Sequence, residues 1–365
     1  MPFDAAVMRA VRSPLTIERL DIRALASEEV LVRLHAAGVC HTDFEAWTGA
    51  FAAPLPTVLG HEAAGVVERV GDAVRGLAPG DHVVATIYPA CGGCFYCHRS
   101  LPMLCESLPS SRPDRGGVPL RGTGDEPIAS FLNVSAFAEY AVLPARGAIR
   151  IPSDVPFDAA CLLGCAVITG VGAAMRIAMV QPGESVAVVG CGAVGLNVIQ
   201  GAALSGAEVI VAVDRSAAKL ARAIAFGATH AFTDDLPDLQ DRIRALTAGR
   251  GVDHGFEAAG VVASLQTTLD CTRPGASVTI LGKTAPDREV PLRFASLSAE
   301  RRIRRSSLGG ARAAEDFPMY AKAYLDGRLR LDEQIDLRLP LRDIDRAFDA
   351  IVEGSVVRTV IRMNE

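Results

Sequence analysis

A dense cysteine cluster is the strongest chemical signal in the 365-residue chain, and it follows the pattern Cys91-x2-Cys94-x2-Cys97-x7-Cys105. Gly92 and Gly93 allow the backbone to fold tightly around a common centre. Four thiolates at this spacing suit tetrahedral zinc, and a closed sulfur shell would leave the metal a structural role only. An iron–sulfur cluster shares the short Cys-x2-Cys spacing and is one alternative. A set of unliganded thiols is the other.

A glycine-rich turn is the second signal, with the sequence Gly190-Cys191-Gly192-Ala193-Val194-Gly195. The apolar run from Ser185 before it predicts a buried strand, and the helical periodicity after it predicts a helix to Leu204. In this context the glycines permit a tight turn, close approach of a pyrophosphate and packing of the helix on the strand. The helix N-terminus offers free N–H groups to phosphates. The turn therefore predicts a dinucleotide site.

Asp214 follows Gly195 by nineteen residues, at the end of a second predicted strand. A carboxylate there can bond both hydroxyls of an adenosine ribose and would repel a 2′-phosphate, which favours NAD over NADP. Arg215 beside it would partly offset that repulsion. The alternative is that Asp214 only caps the next helix.

Further candidate metal ligands are scattered along the chain. A Gly60-His61-Glu62 triplet lies between an upstream Cys40-His41-Thr42-Asp43 segment and a downstream Cys165. His61 alone is compatible with a structural histidine. Together with the cysteine cluster, the glycine turn with its acid and the closing Val-Arg358-Thr segment, these motifs make the whole chain resemble the zinc-containing medium-chain alcohol dehydrogenases.

The resemblance implies a second zinc, held by Cys40, His61 and Cys165, whose fourth position takes water or the substrate oxygen. One zinc per subunit would then be catalytic and the other structural. By the same resemblance Glu62 lies just behind the metal and Asp43 orients His61.

The resemblance also assigns a proton relay and cofactor contacts. Thr42 would take the alcohol proton and pass it along the ribose. His41 and Arg358 would contact the cofactor pyrophosphate, Lys219 would lie near the adenosine ribose and Thr169 near the nicotinamide. Lys219 has an alternative as an ordinary exposed helix residue, and His41 as a solvated loop residue.

Two departures from the family pattern matter. Glu45 stands where many members have a histidine that ends the proton relay, so either this carboxylate is the terminal base or the ribose releases its proton to water. The glutathione-dependent formaldehyde dehydrogenase branch has acidic residues that the segment from Phe51 to Thr57 lacks. Its anion-binding arginine is missing near Pro109, although Arg112 and Arg115 are close. These differences argue against glutathione dependence.

The order of predicted elements indicates an α/β protein of two domains. Period-two apolar runs in the first third predict an antiparallel, barrel-like unit, which the resemblance identifies as GroES-like. Alternating strands and helices after Cys165 predict a doubly wound parallel Rossmann sheet. We place the catalytic domain at 1–166, with 309–365 returning to it, and the NAD-binding domain at 167–308.

Composition limits the partners. The 37 Lys+Arg and 42 Asp+Glu give a net charge of -5, so no broad basic field exists for nucleic acid or anionic lipid. No apolar run is long enough for a membrane span, and no export signal is present, which predicts a cytoplasmic protein. The partner should be a small molecule, and the resemblance suggests a homodimer or homotetramer.

We expect reversible oxidation of a primary aliphatic or aromatic alcohol to an aldehyde, with hydride transfer to NAD. One alternative is an S-(hydroxymethyl)glutathione or formaldehyde dehydrogenase, and another is an enzyme that keeps NAD permanently bound. The non-enzyme alternative is a nucleotide-sensing relative.

Overall fold

The computed structural model describes residues 2–107, 118–285, 287–354 and 356–363. The chain divides into two units, the first Met1–Cys165 with Arg312–Glu365 and the second Ala166–Ala311. The domain limits predicted from the sequence, after 166 and after 308, lie one and three residues from these divisions.

Within the described chain, ten strands and three helices lie before the first domain boundary, which follows Cys165. In chain order they are β1 (Phe3–Met8), β2 (Thr16–Ile22), β3 (Glu29–Val39), α1 (His41–Thr48), β4 (Thr57–Val58), β5 (Glu62–Val70), β6 (His82–Ala85), α2 (Phe95–His98), β7 (Leu120–Arg121), β8 (Pro127–Ser130), β9 (Tyr140–Pro144), β10 (Ala148–Arg150) and α3 (Phe157–Cys161). The second unit contains α4 (Ala166–Gly172), β11 (Ser185–Val189), α5 (Ala193–Leu204), β12 (Val209–Val213), α6 (Ala217–Ala225), β13 (His230–Phe232), α7 (Leu239–Leu246), β14 (Val252–Glu257), α8 (Val262–Asp270), β15 (Thr272–Ile280) and β16 (Arg302–Arg305). The returning segment adds α9 (Ala313–Leu325), β17 (Ile335–Pro340), α10 (Asp345–Glu353) and β18 (Arg358–Arg362).

The first unit is built from β-strands. Strands β1, β2, β7, β8 and β4 form a closed barrel, and a seven-stranded sheet runs in the order β10-β6-β5-β3-β18-β17 with β9 paired to β3. The period-two runs that predicted strands correspond to β3, β5, β6 and β9, so the predicted barrel-like unit is confirmed. Strand β3 pairs with β5 and β18, which connects the first part of the chain to the returning segment.

The second unit contains a parallel sheet in the order β13-β12-β11-β14-β15-β16. This is the doubly wound order in which two mononucleotide-binding halves meet beside the first strand, and it confirms the predicted Rossmann sheet. Every residue of β11 is buried, because helices cover both faces of such a sheet. Part of the core lies between β11, β12 and α7, where Val189, Val213 and Ile243 pack together.

Within the described ranges, no single helix combines the length and apolar character needed to cross a membrane, although the consecutive helices Phe157–Gly164 and Ala166–Ala178 meet that test as a pair on length and composition.

Gly309 packs directly against the backbone of α4. Its φ of 61° is in the left-handed region, and a Cβ atom there would lie 2.5 Å from the carbonyl oxygens of Ile168 and Thr169. Gly327 has a similar φ of 69° but open space around it. The two glycines share one backbone requirement and differ in steric room.

We expect Gly309→Ala to destabilise the protein more than Gly327→Ala. Both changes incur the left-handed backbone cost of about 1–2 kcal/mol, and Gly309→Ala adds an overpacking cost of about 1–3 kcal/mol. The midpoints of thermal unfolding of the two variants measure the difference. Equal midpoints would show that α4 moves away from the added methyl group without cost.

Candidate functional site

Three distant segments bring Cys40, His61, Glu62 and Cys165 together in the first unit. Their ligand atoms all lie within 4.8 Å of one another. Cys40 directly follows β3 and is the N-cap residue of α1, His61 directly precedes β5, and Cys165 follows a 3-10 turn after α3. Cys40, His61 and Glu62 are buried and Cys165 is half-buried. The elements therefore place four possible metal donors at one point.

The Asp43 carboxylate contacts two of the segments that carry these donors. Its Oδ1 lies 2.9 Å from His61 Nδ1 and accepts the Gly60 N–H at 3.1 Å, while its Oδ2 accepts the Cys40 N–H at 2.9 Å. The carboxylate is fully buried. Because Nδ1 faces Asp43, the His61 ring can present Nε2 to an ion, as metal-binding histidines do.

Glu62 is buried beside the same cluster. Arg358 Nη2 lies 3.1 Å from its Oε1, yet no hydrogen bond of good geometry reaches either carboxylate oxygen from the described residues. Burial raises the pKa of Glu62 to about 7, although the charge of Arg358 opposes this. Gly38 pairs with Glu62 across β3 and β5, and a Cβ at Gly38 would overlap Oε2.

The donor set fits zinc. Two thiols and one imidazole are the ligands of catalytic zinc sites that keep one position open. A hydrogen bond from Cys165 lowers the pKa of Cys40 well below its usual value, which favours the thiolate form that binds metal. The incompletely bonded Glu62 side chain offers an oxygen donor within 4.8 Å of the other three groups.

The four-cysteine cluster closes on itself as its spacing predicts. The sulfur atoms of Cys91, Cys94, Cys97 and Cys105 all lie within 4.8 Å of one another. The N–H groups of Cys91 and Ser107 donate to Cys105 Sγ, each at 3.3 Å. The Gly93 N–H lowers the pKa of Cys91 to about 6, whereas burial and neighbouring thiols raise that of Cys97 to about 12. Four sulfur atoms this close together, with backbone N–H groups directed at one of them, fit a tetrahedral zinc site.

The glycine turn joins β11 to α5 in the second unit. Gly190 has a φ of 98°, and a Cβ atom there would lie 2.5 Å from the Ala259 nitrogen. A Cβ at Gly195 would overlap the Gly190 carbonyl oxygen, so packing requires the third glycine. A Cβ at Gly192 would contact nothing within 4 Å, and Gly192 caps α5 with no side-chain hydrogen bond. This open helix N-terminus fits an incoming pyrophosphate.

Asp214 lies directly after β12 and is held by the neighbouring turns. Its Oδ2 accepts the Cys191 N–H at 2.8 Å, and its Oδ1 accepts the Ser216 N–H at 2.9 Å. The N-cap of α6 is Ser216, whose hydroxyl accepts the Lys219 N–H. Since Ser216 is the capping residue, capping of α6 does not by itself account for Asp214.

The remaining site residues predicted from the sequence lie on α1, on α4, and at or just before α6. On α1, His41 is exposed, while Thr42 and Glu45 are half-buried and, at a spacing of three, share one helix face. Thr169 is buried in α4, Arg215 is exposed and Lys219 is half-buried. The roles of these residues stay predictions.

Arg358 is the predicted cofactor residue that lies against the metal-ligand cluster. Its Nη1 donates to the Val39 carbonyl at 3.1 Å, and its guanidinium lies against Glu62. A role at the cofactor pyrophosphate remains a prediction for it. Pro109, Arg112 and Arg115 lie outside the described residues.

Sequence reasoning missed the aromatic residue next to His61. The ring of Phe131 meets His61 edge to face at a centroid distance of 6.2 Å, and Phe51 meets Phe131 in the same way at 5.7 Å. Phe131 follows β8 in a loop far from His61 in the sequence, so no spacing pattern connects the two residues.

Two family models match the chain, the alcohol dehydrogenase GroES-like domain at residues 26–153 and the zinc-binding dehydrogenase at residues 193–325. A class-3 alcohol dehydrogenase of Dictyostelium discoideum is 35% identical, with 98% of this chain and 97% of the relative covered. An S-(hydroxymethyl)glutathione dehydrogenase of Saccharomyces cerevisiae is 36% identical, with 99% and 96% covered. The chain belongs to the zinc-containing medium-chain alcohol dehydrogenase family.

Solved structures agree with this assignment. An alcohol dehydrogenase zinc-binding domain protein from Burkholderia ambifaria superposes with a TM-score of 0.95 at 35% identity, covering 100% of both chains. The benzyl alcohol dehydrogenase of Acinetobacter calcoaceticus gives 0.91 at 27% identity, covering 100% of this chain and 99% of that one. The enzyme is an oxidoreductase that acts on CH–OH groups of small molecules, with zinc and NAD as cofactors.

Asp43→Asn tests the support of the His61 ligand. Loss of the buried negative charge should reduce zinc affinity at the Cys40 cluster by about 10–100-fold, while the four-cysteine cluster keeps its metal. Elemental analysis of zinc per chain after dialysis against a weak chelator measures this loss. Asp125→Asn is the control, since the Asp125 side chain is 85% exposed and forms a surface ion pair with Arg121. Full zinc retention in Asp43→Asn would contradict a supporting role for the carboxylate.

Asp214→Asn tests the cofactor preference. The amide keeps one acceptor for the backbone but removes the charge that repels a 2′-phosphate. We expect kcat/KM to fall about tenfold with NAD+ and to rise with NADP+, because a hydrogen bond to a charged group contributes about 1.5–3 kcal/mol. Steady-state kinetics with both cofactors measures the ratio, and an unchanged ratio would remove Asp214 from the ribose site.

Proposed function

We propose that this enzyme oxidises a primary carbinol reversibly to the aldehyde, with Cys40, His61 and Cys165 holding the catalytic zinc. The observation that carries the proposal is the convergence of these donors next to the buried Glu62 carboxylate. Zinc bound there supplies a Lewis acid that lowers the pKa of a substrate hydroxyl. The second zinc belongs to the four-cysteine cluster and has a structural role.

In this proposal, residues around the zinc ligands have separate roles in holding the ligands and moving the proton. Asp43 accepts a hydrogen bond from the His61 Nδ1–H and so fixes the tautomer that leaves Nε2 for the metal. Thr42 takes the proton of the alcohol hydroxyl, and Glu45 on the same face of α1 is the candidate terminal base, with direct release to water as the alternative. Glu62 lies beside the metal ligands and faces the Arg358 guanidinium.

The second unit binds NAD in this proposal. The first-turn N–H groups of α5 donate hydrogen bonds to the pyrophosphate, and Asp214 accepts hydrogen bonds from the adenosine ribose hydroxyls. Their site comprises Gly190, Gly192, Ala193, Val194, Gly195, Asp214, Arg215 and Lys219. By family resemblance His41, Thr169 and Arg358 complete the cofactor contacts.

S-(hydroxymethyl)glutathione is the first substrate candidate, because the comparisons favour it over a simple alcohol. Relatives from Saccharomyces cerevisiae and Paracoccus denitrificans carry the name S-(hydroxymethyl)glutathione dehydrogenase and align over 99% and 98% of this chain. The adduct is itself a primary carbinol, so it needs the same zinc chemistry.

An aromatic primary alcohol is the second candidate, and a specific contact favours it. Phe51 and Phe131 form an apolar wall next to His61. The segment from Phe51 to Thr57 carries no charge to bind a charged tripeptide. The benzyl alcohol dehydrogenase structure adds a relative with such a substrate in its name.

NADH formation with formaldehyde, with and without glutathione, and with benzyl alcohol tests the two candidates. We expect a glutathione-dependent rate with formaldehyde. Phe51→Ala should lower kcat/KM for benzyl alcohol by roughly 10–100-fold if the wall binds the ring, with Phe95→Ala on the exposed α2 as control. A higher rate with benzyl alcohol and none with the thiol adduct would select the second candidate.

Assembly and location stay predictions. A homodimer or homotetramer is expected from the resemblance, and a cytoplasmic location from the sequence. Cofactor that survives gel filtration would indicate permanently bound NAD, and a single zinc per chain without turnover would indicate a nucleotide-sensing relative.

A further inference from the structure

His254 connects two other polar side chains in the second unit. Its Nδ1 lies 2.8 Å from Ser277 Oγ, and its Nε2 lies 2.8 Å from Glu184 Oε2. The three residues come from distant parts of the sequence, since His254 is on β14, Ser277 is on β15 and Glu184 directly precedes β11. A hydroxyl, an imidazole and a carboxylate joined in this order are the groups of a hydrolase catalytic triad.

The two hydrogen bonds select one tautomer of the His254 ring. A carboxylate only accepts hydrogen bonds, so Nε2 carries the ring proton and donates a hydrogen bond to Glu184. In the neutral ring Nδ1 is then the acceptor for the Ser277 hydroxyl. His254 can therefore take the proton of Ser277 Oγ when this oxygen attacks a carbon atom.

The Glu184 carboxylate is itself held in place by neighbouring groups. Its Oε2 accepts the Gln181 N–H at 2.7 Å. The next residue, Ser185, donates its N–H and its hydroxyl to Asp253 Oδ2 at 2.8 Å and 2.6 Å. The group that orients His254 is thus fixed before any substrate arrives.

Arg302 lies beside Ser277 on the same face of the sheet. The parallel register pairs His254 with Ser277 and Ser277 with Arg302, and side chains in register on neighbouring strands point to one face. Arg302 is exposed, and its guanidinium forms no hydrogen bond or ion pair with another described residue. A guanidinium with open donors beside a nucleophile is suited to stabilising an oxyanion.

This cluster is open to solvent and separate from the cofactor crevice. The His254 and Glu184 side chains are 11% and 30% exposed, and Ser277 is half-buried. Ligands of parallel sheets bind outside the carboxyl ends of the strands, whereas Glu184 precedes β11 and Arg302 is the first residue of β16. The cluster therefore lies toward the amino ends of these strands, and it shares no residue with the glycine turn or the metal clusters.

We propose that Ser277, His254 and Glu184 form a second reactive centre, which hydrolyses small esters. Ser277 Oγ forms a bond to the carbonyl carbon of the ester, and His254 Nδ1 takes the hydroxyl proton. The bond from that carbon to the alcohol oxygen then breaks, and His254 gives the proton to this leaving oxygen. Arg302 supplies positive charge for the carbonyl oxygen.

Water completes the reaction at the same residues. Its oxygen bonds to the acyl carbon while His254 takes one of its protons, and the bond from this carbon to Ser277 Oγ breaks. His254 returns the proton to Oγ, so the products are a carboxylic acid and the original serine. The proposal does not depend on the zinc or NAD chemistry of the enzyme.

A fluorophosphonate probe on the zinc-loaded enzyme tests whether Ser277 is activated. The probe forms a stable bond to a serine oxygen with loss of fluoride, and peptide mass spectrometry locates that bond. We expect the label on Ser277, at a rate that falls about 100-fold or more in His254→Gln because the general base is lost. Ser205→Ala, at another half-buried serine, is the matched control and should be labelled at Ser277 as wild type is.

Nitrophenolate release from p-nitrophenyl acetate measures turnover. The zinc centre and the cysteine thiols are also reactive toward this ester, so the rate difference between wild type and Ser277→Ala is the relevant quantity. We expect Ser277→Ala to lower the rate while alcohol oxidation with NAD+ is unchanged. Glu184→Gln should lower it as well, because an amide is also able to donate and so holds the wrong tautomer of His254.

Three results would overturn the proposal: no label on Ser277, equal labelling rates in His254→Gln and wild type, or ester hydrolysis unchanged in Ser277→Ala. Ser277→Ala removes only a hydroxyl group and stays informative if His254→Gln folds poorly. Arg302→Gln that hydrolyses the ester at the wild-type rate would remove Arg302 from the site.

Discussion

The buried carboxylate of Asp43 is the constraint on which the candidate catalytic centre depends. It accepts the N–H of Cys40 and of Gly60 and faces His61 Nδ1, so one side chain fixes two metal-ligating segments at once. A carboxylate with no solvent contact is stable only when hydrogen bonds or positive charge compensate for its lost hydration. The folded backbone supplies that compensation, and ligand geometry therefore follows from the pairing of β3 and β5.

A similar principle applies in the nucleotide-binding unit. Asp214 accepts the N–H groups of Cys191 and Ser216, one on each oxygen. Its orientation is set before any ribose arrives, so little side-chain entropy is lost on binding. In both units backbone amides position a carboxylate, and Asp43 has the His61 ring as a further partner. The positions of these acids are thus as fixed as the turns themselves.

The sequence predicts the local parts of both sites well. The four-cysteine cluster and the glycine turn are contiguous motifs whose spacing carries their chemistry, and the structure closes both as expected. The alternation of strands and helices likewise predicts a doubly wound parallel sheet, which the structure contains. These features depend on short-range geometry, which residue types and spacing encode directly.

Contacts between distant segments could not be predicted in this way. The edge-to-face contact of Phe131 with His61 arises only when the chain is folded. Arg358 illustrates the limit, since the resemblance gives it a cofactor role while the structure also places it against Glu62. Periodicity shows which face of a strand is buried but not which side chains meet there.

The missing side chain of Gly38 has a consequence for how the metal centre can evolve. Gly38 has no Cβ atom, and this leaves the space that Glu62 Oε2 occupies. A methyl group at this point would overlap that oxygen and displace the acid from its position beside the sulfur and nitrogen donors. The arrangement of the four donor groups therefore depends on a residue with no functional group.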